Sequence, residues 1–316
     1  MKPLISIVMS TYNENEKELK EAIESMLNQT YDNFEYIIIL DNPENVEHIK
    51  IINEYCKKDR RISFIINKKN IGLALTLNKG IKYSKGKYIA RMDADDISEK
   101  RRLEIQLNYM ENNKDIDIIS TNKVDINENN DIINIASSLP TEDKKIKKIL
   151  EITSIITHSG AFFKKESIEK IGGYRNFPAS QDYDLWLRAS YYGLKFSIID
   201  EPLLRYRIRN NNITNKNPLK QHCIRDYIKI EYKMLKKNGY DNFTPENLQK
   251  YLEKNKVYDD RNILKYKKQL KYIDDLKNAI KNRNILKIIK ELFRILFSSK
   301  RVKCILKDYI IVHFLK

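Results

Sequence analysis

The sequence predicts an α/β protein with a mostly parallel sheet flanked by helices. In the first third of the chain, short apolar runs alternate with amphipathic segments, and polar, turn-prone residues follow the runs. Strand and helix in strict succession imply right-handed crossovers, which make neighbouring strands parallel. From about residue 218 the pattern becomes helical and rich in lysine. We therefore predict an α/β domain over residues 1–216 and a helical, basic extension over 217–316.

Each element is assigned from its periodicity. The predicted strands are Leu4–Ser10, Phe34–Leu40, Ile62–Ile66 and Lys87–Met92, followed in the less regular middle third by Ile116–Ser120, Lys123–Ile126, Ile132–Ile135, Ala161–Lys164 and Leu203–Arg209. The predicted helices are a first one with Leu19, Ile23 and Met26 on its apolar face, then Glu44–Cys56, Ile71–Tyr83, Ser98–Met110, Thr141–Leu150 and Asp184–Tyr191. Ser98 is the expected N-cap of its helix.

Charge and cysteine content narrow the class of protein. The formal net charge is +16, which nucleic acid, an anionic membrane surface or a phosphorylated ligand would each explain, as would a compositional bias toward lysine. Three separated cysteines without a C-x-x-C pair predict free thiols rather than a disulfide framework or a zinc site. We see no signal peptide and no apolar run of membrane-spanning length, and therefore expect a cytoplasmic protein.

Polar residues that follow the strands should meet along one edge of the sheet, because such sheets bind ligands beyond the carboxyl ends of their strands. Asp93 and Asp95 are the most informative of them. They stand at alternate positions of an extended segment, so their carboxylates point the same way. One or two carboxylates with a diphosphate are enough to hold Mg²⁺ or Mn²⁺. The D-x-D spacing occurs twice more, but only this pair directly follows a strand at the predicted edge. The edge residues are Thr11 and Asn13, Asp41, Asn67–Asn70 and Asp93–Asp96.

Five segments in order make the interpretation more specific. They are ISIVMSTY from Ile5, Asp41 after the second strand, KNIGLALTLNKGI, GKYIARMDADD and SQDYDLWLRASYYG. In this order they resemble the inverting family 2 glycosyltransferases of the bacterial surface-polysaccharide type, whose fold is called GT-A. The resemblance covers roughly residues 4–210 and is strongest over Gly86–Gln106.

The resemblance implies a GT-A catalytic domain over 1–216, with a nucleotide-sugar half over about 1–112 and an acceptor half over about 113–216. It implies that Asp93 and Asp95 bind Mn²⁺ or Mg²⁺ and that Asp182 is the catalytic base. The nucleotide-binding residues that it implies are Thr11, Tyr12, Glu14, Asp41, Asn70, Arg91 and Asp93.

Asp182 also has support that does not depend on the resemblance. It lies beside Tyr183 and Trp186 just ahead of a predicted helix, where partial desolvation would keep its carboxylate basic enough to take a proton. The alternative is a helix N-cap. Asp184 fits that role better, because the apolar periodicity starts directly after it.

His158 and Arg209 are further candidates for contacts with acceptor or phosphate. His158, in ITHSGAFF, resembles a position on the acceptor-side loop of the family, and the alternative is a structural histidine. Arg209 stands where many family members carry histidine, which leaves a third protein ligand of the metal open. Arg209 could instead place a positive charge against the diphosphate, or lie on the surface of an edge strand.

These features predict a metal-dependent, inverting transfer of a sugar from a nucleotide-sugar, expected to be UDP-linked, to a hydroxyl of a glycan or lipid-linked glycan. A sugar nucleotidyltransferase is less consistent, because no glycine-rich phosphate loop follows the first strand. A basic protein that binds a membrane or nucleic acid without catalysis is a third alternative, although it would not need carboxylates on one edge. We expect no nucleic-acid partner.

The C-terminal region adds a prediction about partners. Residues 284–297 form an amphipathic helix with Lys287, Lys290 and Arg294 on its polar side, and another basic helical segment covers 301–316. Basic amphipathic helices can lie flat on anionic membranes, which would make the protein peripheral at the inner face of the membrane. The apolar stripe could equally pack on the first domain or on a second subunit of an oligomer.

Overall fold

The computed structural model describes residues 4–209 and 217–315. The chain divides into two compact units, Met1–Arg209 and Asn210–Lys316. The boundary predicted after residue 216 adjoins residues 210–216, which lie outside the described residues.

The first unit alternates strands and helices, as its sequence pattern predicts. Its strands are β1 (Ile5–Thr11), β2 (Phe34–Leu40), β3 (Ile62–Ile66), β4 (Tyr88–Asp93), β5 (Ile97–Ser98), β6 (Ile118–Ile126), β7 (Ile132–Ile135), β8 (Phe162–Lys164) and β9 (Phe196–Arg207). Its helices are α1 (Glu16–Leu27), α2 (Val46–Lys58), α3 (Leu73–Tyr83), α4 (Arg102–Asn112), α5 (Asp143–Leu150), α6 (Lys165–Lys170) and α7 (Gln181–Tyr191).

The strands form one sheet in the order β3-β2-β1-β4-β8-β6-β9-β5, with β7 beside β6. The β3-β2-β1-β4 half is parallel, and β6 and β9 are also parallel. Antiparallel pairs join β8 to both halves and add β5 and β7. The strand order reverses direction between β1 and β4, and such a reversal opens a crevice at the carboxyl ends of the strands. This arrangement confirms the predicted α/β class and positions the site.

The core beneath the crevice follows from the sequence pattern. Every residue of β1 is buried, as expected of a central parallel strand covered on both faces. Leu19, Ile23 and Met26 form the predicted apolar face of α1 and pack into the same cluster as Ile7 and Met9 of β1. The burial of α1 against the sheet fixes where the loop between β1 and α1 lies.

Several element boundaries differ from the predictions. The strand predicted over Leu203–Arg209 begins seven residues earlier and is β9, because Phe196–Ile199 also pair with β6. Two other differences have local causes. Helix α4 begins at Arg102, because Ile97 and Ser98 pair as β5 with β9 and Ser98 is therefore not an N-cap. The strands predicted over 116–120 and 123–126 are one strand, β6. Thr121 and Asn122, which read as an interruption, form a shift in register against β9 instead of a turn.

The second unit is helical, with α8 (Pro218–Asn238), α9 (Pro245–Lys254), α10 (Asp260–Lys281), α11 (Ile285–Leu296) and α12 (Lys300–Leu315). Thr244, Asp259 and Asn284 cap three of these helices with side-chain oxygens. Among the described residues, none of the helices has the length and apolar character needed to cross a membrane.

Candidate active site

One corner of the site is the loop after β1. Thr11 Oγ1 donates to the carboxylate of Glu14 over 2.6 Å, and the backbone N–H of Tyr12 donates to the same carboxylate over 2.8 Å. The side chain of Tyr12 is exposed. These bonds fold the chain back on itself before α1, so three of the predicted nucleotide-binding residues occupy one corner of the sheet edge.

His48, which is not among the residues predicted from the sequence, completes this corner. The side chain is 2% exposed in the first turn of α2. Its Nδ1 lies 3.0 Å from Thr11 Oγ1, and its Nε2 lies 2.9 Å from the carbonyl oxygen of Glu14. Asn45 caps α2 by accepting from the backbone N–H of His48, which fixes the histidine facing the loop. No rule of sequence spacing links residue 48 to residues 11 and 14. The local signal for the position of His48 is Asn45, a typical helix-capping residue three positions before it.

Asp41 organises the loop that follows β3. One of its carboxylate oxygens accepts from Asn67 Nδ2 over 2.7 Å and from the N–H of Ile71 over 3.0 Å, and the other accepts from the N–H of Gly72 over 2.8 Å. Gly72 has a φ of 85°, in the region that favours glycine. The Asn70 side chain is exposed and accepts from the same Gly72 N–H over 3.0 Å. Through these bonds Asp41 holds the loop in place. Asp41 is only 4% exposed, so of the two predicted nucleotide-binding residues Asp41 and Asn70, only Asn70 is accessible to a ligand.

The centre of the site is the turn after β4. Arg91 is buried in β4 and forms an ion pair with Asp93, whose backbone N–H donates to Ser159 Oγ over 3.0 Å. Asp95 Oδ2 lies 3.0 Å from Arg209 Nη2, which also lies 2.6 Å from a carboxylate oxygen of Glu18. Each carboxylate of the D-x-D pair is therefore paired with an arginine.

The end of β9 holds the same turn from the other side. The N–H of Arg207 donates to Asp96 Oδ1, and its Nε donates to the carbonyl oxygen of Asp95, each over 2.8 Å. Burial, and then the neighbouring charge of Asp93, raise the pKa of Asp95 to about 7. Burial and the charges of Asp95 and Asp93 also hold the pKa of Asp96 well above its ordinary range. Three carboxyl groups are therefore crowded into a site that favours a positive charge.

The residues of this turn fit a divalent cation. Asp93 and Asp95 are both partly exposed and supply hard oxygen donors, and their mutual repulsion is the kind that a bound cation relieves. Within 4–209 and 217–315, no group of three or more histidine, cysteine, aspartate or glutamate side chains is arranged to hold a metal. Arg209, which stands where many family members carry a histidine, does not provide a third metal ligand. Its guanidinium instead pairs with Asp95. Diphosphate oxygens and waters would have to complete the coordination.

Asp182 lies in the first turn of α7 and is partly exposed. Desolvation, with a smaller contribution from the charge of Asp93, raises the pKa of Asp182 to about 6, although backbone N–H groups and Arg91 oppose the shift. Asp182 is therefore within electrostatic reach of the turn after β4. A carboxylate with a pKa near 6 is ionised at neutral pH yet basic enough for proton abstraction.

Asp184 has a structural role that differs from the predicted cap. Helix α7 begins at Gln181 after Ser180, so neither Asp182 nor Asp184 is the N-cap residue. Asp184 is buried and accepts from Arg175 Nε over 3.1 Å and from Arg188 Nε over 2.9 Å. Such a doubly paired carboxylate is not free to act as a base.

The remaining D-x-D pair, Asp115 and Asp117, is also accounted for structurally. Asp115 pairs with Lys195 over 2.9 Å. Asp117 accepts from Ser167 Oγ over 2.8 Å and pairs with Lys164. Position after a parallel strand, and not spacing, distinguishes Asp93 and Asp95.

His158 lies in the segment that precedes β8. Its Nε2 is 2.9 Å from the hydroxyl of the buried Tyr174. Burial, and then the charge of Arg91, lower the pKa of His158 to about 3, so the imidazole is neutral at physiological pH. His158 can exchange hydrogen bonds but cannot serve as a cationic acid, which favours a positioning role over a catalytic one.

Comparison with known proteins assigns the family. The family described as Glycosyl transferase family 2 matches residues 6–172. The O-antigen biosynthesis glycosyltransferase WbnJ of Escherichia coli is 37% identical over 243 residues, which is 76% of this chain and 92% of that protein. An uncharacterized glycosyltransferase of Methanocaldococcus jannaschii is 45% identical over 211 residues, 67% of this chain and 73% of that protein. The chain belongs to glycosyl transferase family 2 and is a glycosyltransferase.

Solved structures agree at the level of the fold. The crystal structure of S. aureus TarS 1–349 in complex with UDP-GlcNAc superposes with a TM-score of 0.61 at 16% identity, covering 80% of this chain and 70% of that one. A second crystal structure of the same TarS fragment superposes with a TM-score of 0.58 at 15% identity. These superpositions confirm the predicted GT-A-like fold.

Proposed function

We propose that this protein transfers a sugar from a UDP-linked nucleotide-sugar to a hydroxyl of a glycan or a lipid-linked glycan, with inversion at the anomeric carbon, and that it does so in the cytoplasm. The observation that carries the proposal is the turn after β4, where the partly exposed Asp93 and Asp95 lie beside Arg91 and Arg209. The bound UDP-GlcNAc in the TarS complex supports the donor class. The O-antigen and amylovoran biosynthesis names of two relatives support a glycan acceptor.

Asp182 takes the proton from the acceptor hydroxyl in this mechanism. The hydroxyl oxygen then bonds to the anomeric carbon as the bond from that carbon to the diphosphate oxygen breaks on the opposite face. One displacement without a covalent intermediate inverts the configuration. The nucleoside would lie at the corner formed by Thr11, Tyr12 and Glu14, against the loop that Asp41 and Asn70 organise.

Arg91 and Arg209 place fixed positive charge near the departing diphosphate. Asp93 and Asp95 would hold Mn²⁺ or Mg²⁺, which when bound neutralises charge on the leaving diphosphate. Arg91 keeps Asp93 in place from within the sheet. The guanidinium of Arg209 lies beside Asp95.

Ligand-dependent thermal stability tests the proposal. UDP with Mn²⁺ should raise the melting temperature, because a ligand at about 100 times its Kd stabilises the folded state by about 2.7 kcal/mol. Asp93→Asn should abolish this rise. The matched control Asp115→Asn removes a carboxylate of the same spacing outside the site and should preserve it. A set of nucleotide-sugars screened for metal-dependent hydrolysis then identifies the donor.

The same assay also detects the alternative, a protein that binds nucleic acid without catalysis. Short duplex DNA, and not UDP, would stabilise a nucleic-acid-binding protein, with a steep dependence on salt. Stabilisation by DNA together with no response to any nucleotide-sugar would contradict the proposed transferase chemistry.

A further inference from the structure

Helix α11 in the C-terminal unit turns its apolar side outward. Leu286 is 83% exposed, Phe293 63% and Phe297, directly after the helix, 73%. Single exposed apolar side chains are ordinary, but contiguous ones mark interaction sites. On the same helix Glu291 is 2% exposed and pairs with Arg294. A helix that buries a carboxylate and exposes its phenylalanines has an apolar face that requires a partner.

Helix α12 extends this apolar surface. An open groove of about 710 Å³ lies between α11 and α12. Lys303 and Lys307 of α12 are exposed at its edge. The apolar side chains that line the groove include Ile289, Leu292, Phe293, Leu296, Leu306 and Ile310.

The charge around the groove is strongly one-sided. Residues 285–315 hold seven lysines and arginines but only two carboxylates, Glu291 and Asp308. Both carboxylates are already paired, Glu291 with Arg294 and Asp308 with Lys229 of α8. The exposed lysines around the apolar side chains therefore leave a net positive surface.

We propose that α11 and α12 form a docking face for an anionic lipid bilayer. We call it the basic apolar face and define it by Leu286, Phe293, Phe297, Lys303 and Lys307. The apolar side chains would enter the boundary between headgroups and acyl chains, while the lysine stems extend along it and keep their ammonium groups among the anionic headgroups. The inference does not rest on the proposed transfer reaction.

Charge decides between the bilayer and a second copy of the chain. A symmetric dimer would bring the same basic face against itself, and like charges at such an interface repel. An anionic bilayer instead complements both properties of the face at once. Each lysine or arginine near such a surface contributes about fivefold in affinity at low salt, so binding is reversible and salt-dependent.

Vesicle sedimentation of the full chain tests this proposal. The protein should pellet with vesicles of equal parts phosphatidylglycerol and phosphatidylcholine at low salt, and not with pure phosphatidylcholine, and high salt should release it. The double variant Leu286→Ser/Phe293→Ser should lose most of the binding at an unchanged melting temperature. The matched control Leu264→Ser replaces a side chain that is 67% exposed on α10 of the same unit and should bind like the unchanged protein.

The charge contribution is tested separately. Lys303→Gln/Lys307→Gln should weaken binding by roughly an order of magnitude or more. Lys267→Gln/Lys271→Gln, which removes two exposed lysines of the same spacing from α10, should not. Three results would overturn the proposal. The first is that the protein does not bind anionic vesicles. The second is that it does not bind vesicles but forms a dimer that Leu286→Ser/Phe293→Ser dissociates, and the third is that it does not bind vesicles and this variant melts at a much lower temperature. The last would show that the face packs against the protein itself.

Discussion

Asn78 of α3 and Tyr174, which are 96 residues apart in the sequence, are joined by two reciprocal hydrogen bonds. Asn78 Nδ2 donates to the carbonyl oxygen of Tyr174 over 2.7 Å, and the Tyr174 N–H donates to Asn78 Oδ1 over 2.8 Å. The preceding Gly173 has a φ of 65°, and a Cβ there would lie 2.5 Å from Asn78 Oδ1. Because the Tyr174 hydroxyl also contacts His158, the Asn78 amide ties α3 to the segment that carries His158.

Asn78→Ala should release the loop at 172–175. Loss of two partly buried hydrogen bonds should lower stability by roughly 1–3 kcal/mol. The rate should fall because Tyr174 and His158 lose their fixed positions, while UDP binding stays close to normal. Turnover and UDP titrations measure this split, with the exposed Asn108→Ala on α4 as the control. A variant that loses UDP binding as much as turnover would contradict a role confined to the acceptor side.

Asp182→Asn should lower turnover by roughly 10²–10⁴-fold, because the amide keeps the shape of the side chain but cannot take a proton. Donor binding should change little. Steady-state kinetics and a UDP titration on the same preparation measure both quantities. Asp115→Asn, which removes a carboxylate that pairs with Lys195, should be indistinguishable from the unchanged protein. Normal turnover in Asp182→Asn would place the base elsewhere.

The raised pKa of Asp182 predicts the acid limb of the rate profile. Only the ionised carboxylate accepts a proton, so turnover should fall as the pH drops through about 6 and level off above it. His158, with a pKa of about 3, adds no limb in that range, but Asp95, whose pKa is about 7, titrates there too, so the limb assigned to Asp182 is the part that disappears in Asp182→Asn. A rate profile between pH 5 and 8, buffered at constant ionic strength, would show the limb, and its absence would contradict Asp182 as the base.

The same shift predicts an effect on stability. A carboxyl whose pKa is higher in the folded state favours folding at low pH, when it is protonated, and that contribution is lost as the pH rises through about 6. Asp182→Asn removes the charge permanently. It should therefore raise the melting temperature at pH 8 relative to the unchanged protein, with little difference at pH 4. Equal melting temperatures at pH 8 would show that the carboxylate is not significantly desolvated.

Local sequence patterns were enough to predict the edge of the sheet. Contacts between elements that are distant in the sequence could not be predicted from them. β1, β2 and β4 follow from apolar runs, and the position of Asp93 after such a run identified the turn. His48 was missed because its partners come from another element. The cap predicted at Asp184 was wrong. Helix α7 begins earlier, at Gln181, and Asp184 lies inside it, where its carboxylate pairs with Arg175 and Arg188.

Asp95→Ala should abolish turnover, and a chelator should do the same to the unchanged protein, because the proposed metal would lose one of its two protein ligands. The loss of metal binding should be visible without turnover, as the disappearance of Mn²⁺ binding in a titration followed by electron paramagnetic resonance. Asp115→Ala is the control. Full activity in the presence of EDTA would contradict the role proposed for Asp93 and Asp95 in metal binding.

Arg209 forms an ion pair with Asp95, the carboxylate that a bound cation would also need. Its Nη2 lies 3.0 Å from Asp95 Oδ2, so a divalent cation at Asp95 must compete with a guanidinium. Arg209→Gln should therefore tighten Mn²⁺ binding in the absence of nucleotide, by about tenfold or more given the strength of a partly buried charge pair. UDP binding should weaken in the same variant, because a positive charge near the diphosphate is lost. Mn²⁺ titrations with and without UDP measure both effects. Arg205→Gln, which removes an exposed arginine from β9 that pairs with Glu99, is the control. If Arg209→Gln weakened Mn²⁺ binding without nucleotide, Arg209 would be supporting the metal site and not competing with it.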